Sequence, residues 1–323
     1  MNAPCLHQDK PNALDTGLHQ RLTNFNRWRL SPSVVAQGWE HRLAEEHEFL
    51  LEEGQFVEAE RRRVVARAAL APREAPAFIR WFEDLQHVGP GQGDPLFPWL
   101  AEQASLDHMR WFLSQEVAGE AGFDDLVALS QVKAPIQAKL ELARNYWDEV
   151  GRGDARAMHG ILLHRLVVEL GLASSLEATV TEALALGNLM IALAANRRYA
   201  YHSLGALGII EQTAPGRVTL VDQGLRRLGI SPRSRRYFTL HASVDIRHSE
   251  AWNREVLLPL VAADPELAQP IAEGALLRLE AGARCFTRYR SVLASMPRTG
   301  GAAAPKDHAS SFADDACLDH AVP

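Results

Sequence analysis

Two histidines and an aspartate in His241-Ala-Ser-Val-Asp245-Ile-Arg-His248 fall at 0, +4 and +7, a spacing that stacks all three side chains along one face of an α-helix. Imidazole nitrogen combined with carboxylate oxygen suits iron, manganese or zinc. A coordination position left open on such a site is where oxygen or water is activated. About 0.03 chance occurrences of H-x3-D-x2-H are expected in a chain of this composition, so the triplet earns a search for its partners.

A metal site in a helical bundle draws inward-facing side chains from several helices, so His241, Asp245 and His248 require carboxylates from elsewhere. Two segments supply them. In Asn145-Tyr-Trp-Asp148-Glu149-Val-Gly151-Arg-Gly153-Asp154-Ala-Arg-Ala-Met-His159 a helix ends at the glycines and Asp154 can cap the next. A straight helix would hold Glu149 and His159 about 80° apart, a constraint that the glycine break removes. Alone, E-x9-H carries no information, since about one match arises by chance; its place around Gly-x-Gly is the informative part. In the second segment, Glu211 follows the apolar, small-residue run Leu204-Gly-Ala-Leu-Gly-Ile-Ile. A buried carboxylate there must be paired or ligate metal, but a helix that ends before Pro215 would leave Glu211 solvated, and both readings stand.

Glu116 and Glu120 share a helix face at i, i+4. They read either as a further ligand or a partner orienting a histidine, or as an exposed acidic face beside core Trp111 and Phe112. Asp124-Asp125 reads as a helix start. His164 and His202 read as structural histidines. Arg197, Arg198, Arg235, Arg236 and Arg247 lie in the same half of the chain; a guanidinium facing the pocket could hold a substrate carboxylate bidentately, though Arg247, next to His248, projects off the ligand face.

The elements that must position these residues read as all-α. The chain has 323 residues, 47% of them hydrophobic, with long Ala-, Leu-, Glu- and Arg-rich stretches and few alternating β-branched runs. A net charge of −6 without a basic run argues against nucleic acid. No apolar run approaches the roughly eighteen residues of a membrane span, and the start lacks a signal-peptide pattern. Cys5, Cys285 and Cys317 are too scattered for a disulfide framework or thiolate site, so a cytoplasmic location is expected. Residues 1–33 and 297–323 read as flexible ends, 34–97 as an N-terminal helical extension, and 98–296 as the metal-binding domain. Within the extension, a charge-dense helix over 43–71 stops at Pro72, and Pro76 opens another with Phe78, Trp81, Phe82 and Leu85 at core spacing. Beyond it, helices are expected from Pro98 through Glu120, then at 135–150, 155–171, 178–212, 218–229, 233–247, 249–262 and 265–295. No heptad or repeat persists, which leaves a single helical bundle.

The order Glu149, His159, Glu211, His241-x3-Asp245-x2-His248 resembles the heme-oxygenase-like diiron oxidases and oxygenases, the iron-containing redox enzymes. The resemblance spans roughly 98–295 and is carried by Asn-Tyr-Trp-Asp-Glu-x-Gly-x-Gly and Leu-His-Ala-Ser-Val-Asp-Ile-Arg-His-Ser-Glu-Ala-Trp. It implies a heme-oxygenase-like bundle of about seven core helices. It also implies two Fe(2+) per chain, with Glu149 and His159 as one ligand pair, Glu211 as a further carboxylate, and the His241, Asp245, His248 triplet. The expected activity is a non-heme diiron oxidoreductase that uses O2 to oxidise a small organic substrate, by N-oxygenation of an amine or amino-acid-derived compound in a biosynthetic pathway. Oxidative C–C cleavage or desaturation of an amino acid or fatty acid is the alternative at the same site. An external electron donor is expected, because no Gly-rich dinucleotide fingerprint or cysteine cluster appears. The rivals are a heme oxygenase with one axial histidine, a metal-free relative, and a helical binding or scaffold protein. The charged helix at 43–71 could serve as a homodimer contact or as a solvated cover.

Overall fold

In the computed structural model, residues 15–32, 38–119, 122–172 and 175–297 are described, and every regular element among them is helical. The chain runs through α1 (Thr16–Leu30), α2 (Trp39–Ala68), α3 (Ala75–Val88), α4 (Leu96–Glu102), α5 (Leu106–Gly119), α6 (Phe123–Ser130) and α7 (Ile136–Glu149). It continues through α8 (His159–Leu170), α9 (Thr181–Ala195), α10 (Ala200–Arg227), α11 (Arg236–Trp252), α12 (Leu258–Ala263) and α13 (Ala268–Ser295). Among the described residues no helix is long and apolar enough to cross a membrane.

The expected flexible end over 1–33 contains a packed helix instead. Asp15 caps α1 by accepting from the Gly17 amide at 2.8 Å, and Leu18, Leu22 and Phe25 at i, i+4 and i+7 are buried. Its stripe is narrow and set among polar residues, which hides the periodicity in sequence. Nor are α1 to α3 an appendage: Leu22, Phe56, Phe78 and Phe82 share one apolar cluster with Ile271 and Leu276 of α13. The solvated reading of α2 holds for its outer face, but Glu53 and Glu60 are buried in ion pairs with Arg29 and Arg284.

The single helix expected from Pro98 is two. Ser105 caps α5, its hydroxyl accepting from the His108 amide, while Arg227 donates to the Ala101 and Ala104 carbonyls where α4 ends. The stretch expected as one helix over 178–212 breaks at Asn196, whose amide donates to Ala192 O and Glu53 Oε1. Conversely, α10 does not stop at Pro215 and absorbs the helix expected at 218–229. Proline there cannot donate to the Glu211 carbonyl, so α10 lacks one rung a turn beyond a candidate ligand. The helices expected at 233–247 and 249–262 meet in a π-turn at Asn253–Leu257 between α11 and α12.

α10 and α13 cross backbone to backbone. A Cβ on Gly205 would stand 1.9 Å from the Ile271 carbonyl oxygen, and one on Gly274 would stand 1.8 Å from that of His202. This contact makes α10 the central strut, which also packs against α11, where Gly208 lies under the Trp252 indole.

Candidate metal centre

α7, α8, α10 and α11 bring all six sequence candidates to one region. α7 ends at Glu149, and the chain reverses through Gly151, Arg152 and Gly153, all at positive φ, before Asp154 caps a single 3-10 turn and α8 begins at His159. Gly151 is required here: besides its φ of 67°, a Cβ would meet the Ala157 carbonyl carbon at 2.6 Å. The reversal places His159 Nδ1 2.6 Å from Glu149 Oε2. Glu211 on α10 is buried at 2% exposure, which removes its solvated reading. Its Oε2 lies 3.4 Å from His248 Nδ1.

Two trios of donor atoms, each within 4.8 Å of one another, converge here: Glu149, His159 and His241, and Glu149, Glu211 and His248. Glu149 belongs to both. Asp245 joins neither trio but is buried between its α11 neighbours at 3% exposure.

The hydrogen bonds around these groups leave their metal-facing atoms bare. His241 donates from Nδ1 to the Tyr237 carbonyl at 2.7 Å, which leaves Nε2 as its free nitrogen, and its ring centroid lies 4.5 Å from that of His159. His248 Nε2 donates to Asp148 Oδ2 at 3.0 Å, and Asp148 also accepts from Arg152 Nε at 2.6 Å. Asn145 Nδ2 donates to Glu211 Oε1 at 2.6 Å. Meanwhile Asp245 Oδ1 is buried without a hydrogen-bond partner, and His159 Nδ1 and His248 Nδ1 face only the carboxylates of Glu149 and Glu211, outside regular hydrogen-bond geometry. Buried polar atoms are ordinarily satisfied, so the orphaned Asp245 oxygen, with two imidazole nitrogens turned onto carboxylates in an oxygen and imidazole donor set, fits a divalent iron ion.

The electrostatics agree. Burial pushes the Glu149 carboxyl up to about 8, with His241 opposing and Glu211 adding to the rise. Burial, then Glu211 and Glu149, lift Asp245 to about 9. Burial, then the neighbouring His248, pull His159 down to about 4, and burial followed by His159 lowers His241 as well. For His248 burial disfavours the charge, but Glu211 and Asp148 outweigh it and raise the imidazole to about 9. Without metal the acidic cluster thus retains protons that a cation would displace.

Asp148 and Asn145, which no spacing rule singled out, prove to be the groups that orient His248 and Glu211. Partial burial favours the neutral form of Asp148, yet the hydrogen bonds from Arg152 and His248 hold its carboxyl below the usual range. The clue available in sequence was position: both lie on the turn of α7 that precedes Glu149. Glu116 is a correction, since it stands apart from the six beside Tyr289, Arg217 and Arg278. It lies there because Trp111 and Phe112 of α5 pack on the Tyr289 ring of α13. Glu120 lies outside the described residues. His202 is structural, as expected, with Nε2 3.0 Å from Glu273 Oε2. Arg197, Arg198, Arg236 and Arg247 are exposed, while Arg235 is tied to Asp222.

Two solved structures of a CADD-like protein of unknown function from Nostoc punctiforme share this fold. Each is 20% identical to this chain and covers 67% of it, with TM-scores of 0.53 and 0.50 over 96% and 94% of their own chains. No curated protein matches. A sequence profile described as iron-containing redox enzyme matches residues 110–283. That span takes in every one of the six candidate ligands, and on it the chain belongs to the iron-containing redox enzyme family.

Proposed function

We propose that this chain is a non-heme diiron oxidoreductase that activates O2 to oxidise a small organic substrate, with N-oxygenation of an amine or amino-acid-derived compound as the reaction. The observation that carries the dinuclear reading is the position of Glu149 in both donor trios, since a carboxylate shared by two ligand sets can bridge two metal ions. Glu149, His159 and His241 would hold one ion and Glu149, Glu211 and His248 the other, with Asp245 completing the set. When bound, ferrous iron supplies the electrons and the open positions for dioxygen chemistry.

The protein's own contribution is orientation and charge. Asp148 holds the Nε2 proton of His248, and the Tyr237 carbonyl holds the Nδ1 proton of His241, so each ring presents its other nitrogen. Asn145 pins one oxygen of Glu211 and leaves the other to the centre. Substrate electrons beyond those of the metals come from an external donor. A heme oxygenase would hold its iron through one axial histidine and has no use for two trios that share a carboxylate.

Anaerobic ferrous titration of metal-stripped protein, followed by rapid mixing with oxygenated buffer, tests this reading in the wild type and in Asp245→Ala and Glu149→Gln. Two irons per chain and a transient visible absorption lost in the variants are expected. One iron or none, without an oxygen-dependent band, would overturn it.

A further inference from the structure

A second group of charged side chains lies within the helices, outside the metal centre. Arg217 projects from α10, its guanidinium carbon 5.7 Å from the ring centroid of Phe286 and 6.0 Å from that of Phe97. Arg278 projects from α13 and lies over Gly282, where an added Cβ would stand 2.8 Å from Nη1 and 3.7 Å from the Phe286 ring. The two guanidinium groups therefore converge on the same aromatic wall. Glu116 of α5 faces them, with the Tyr289 hydroxyl beside it.

Arginines that turn inward elsewhere in this molecule meet a carboxylate directly: Arg29 meets Glu53, Arg284 meets Glu60, and Arg235 meets Asp222. Arg217 and Arg278 do not. Arg217 makes one hydrogen bond, to Thr213 Oγ1 at 3.2 Å, and neither guanidinium is in an ion pair among the described residues. All three charged side chains are half-buried among the helices. Two cations against a single carboxylate leave at least one positive charge uncompensated in a poorly hydrated place, a costly arrangement unless an anion completes it.

We propose that Arg217 and Arg278 form a binding site for the carboxylate of a small organic acid. One carboxylate neutralises the excess charge, and planar guanidinium forks match its two oxygens. Mutual repulsion is already felt: burial, then Arg278, pull Arg217 down to about 10. Glu211 precedes Arg217 by six residues, about 9 Å of helix rise, so the anion site and the metal centre share less than two turns of α10. Taking the bound acid as the substrate rests on the function proposed above; the binding of the carboxylate itself does not.

The test uses metal-stripped full-length protein and calorimetric titration with straight-chain carboxylates from acetate to octanoate, the matching primary amides, and inorganic phosphate. Saturable binding of a carboxylate, absent for its amide, is expected, with a loss of at least about tenfold in Arg217→Met and in Arg278→Met. Their melting temperatures should be unchanged or higher, because each removes an uncompensated buried cation. No carboxylate binding at millimolar concentration, a preference for phosphate, or a lowered melting temperature in both variants would overturn the proposal. Ferrous titration of the wild-type protein alongside its carboxylate titration separates the two readings. Two irons bound without carboxylate binding sinks only the anion site, whereas carboxylate binding without iron sinks only the diiron reading.

Discussion

Loading the centre with metal should release protons in a number that the site itself dictates. Metal ligands must be deprotonated, and three of them hold protons when metal is absent: Glu149 at about 8, Asp245 at about 9 and His248 at about 9. At pH 7 Glu149 is then roughly nine-tenths protonated and the other two almost wholly so, which predicts the release of about two to three protons per filled site. His159, pulled down to about 4, and His241, also lowered, are already neutral and add none. For His248 the proton that leaves is the one on Nδ1, since Nε2 stays bonded to Asp148. The sign follows: protons compete with metal, so apparent ferrous affinity rises roughly 100- to 1000-fold between pH 6 and pH 7 and levels off above about pH 9. Anaerobic calorimetry in two buffers of different ionisation enthalpy measures the proton count directly. Asp245→Asn and Glu149→Gln should each lower it by about one. A release below one proton, or an affinity flat between pH 6 and 8, would refute the ligand set and the electrostatic argument together.

Asp148→Asn leaves His248 without its anionic acceptor and should weaken ferrous binding about 10- to 100-fold with little change in fold; unaltered affinity in the same titration would deny Asp148 its orienting part. Gly205→Ala forces a methyl group into the Ile271 carbonyl at the α10–α13 crossing and should cost about 1–3 kcal/mol or more in chemical denaturation. A wild-type midpoint would mean that the helices do not approach as described.

Much of the centre was legible in the chain because helical geometry is local. His241, Asp245 and His248 share a face at any helix position with that spacing, and α11 does run through all three. Gly151 and Gly153 marked a reversal because few other residues take positive φ cheaply, and the reversal brings His159 back to Glu149. Composition likewise sufficed for the all-helical class.

What only tertiary structure decided concerns surroundings. Glu211 could not be told from a solvated helix end until α10 ran on past Pro215 and buried it. The narrow stripe of α1 acquired meaning only against the core it covers. Glu116 satisfied the i, i+4 rule with Glu120, yet packing sends it to Arg217 and Arg278. Neither arginine was among those weighed from sequence. Spacing along a chain determines which side chains share a face of their own helix; which groups meet across helices, and whether a charge finds a partner or water, depends on how those helices pack, and no local pattern encodes that.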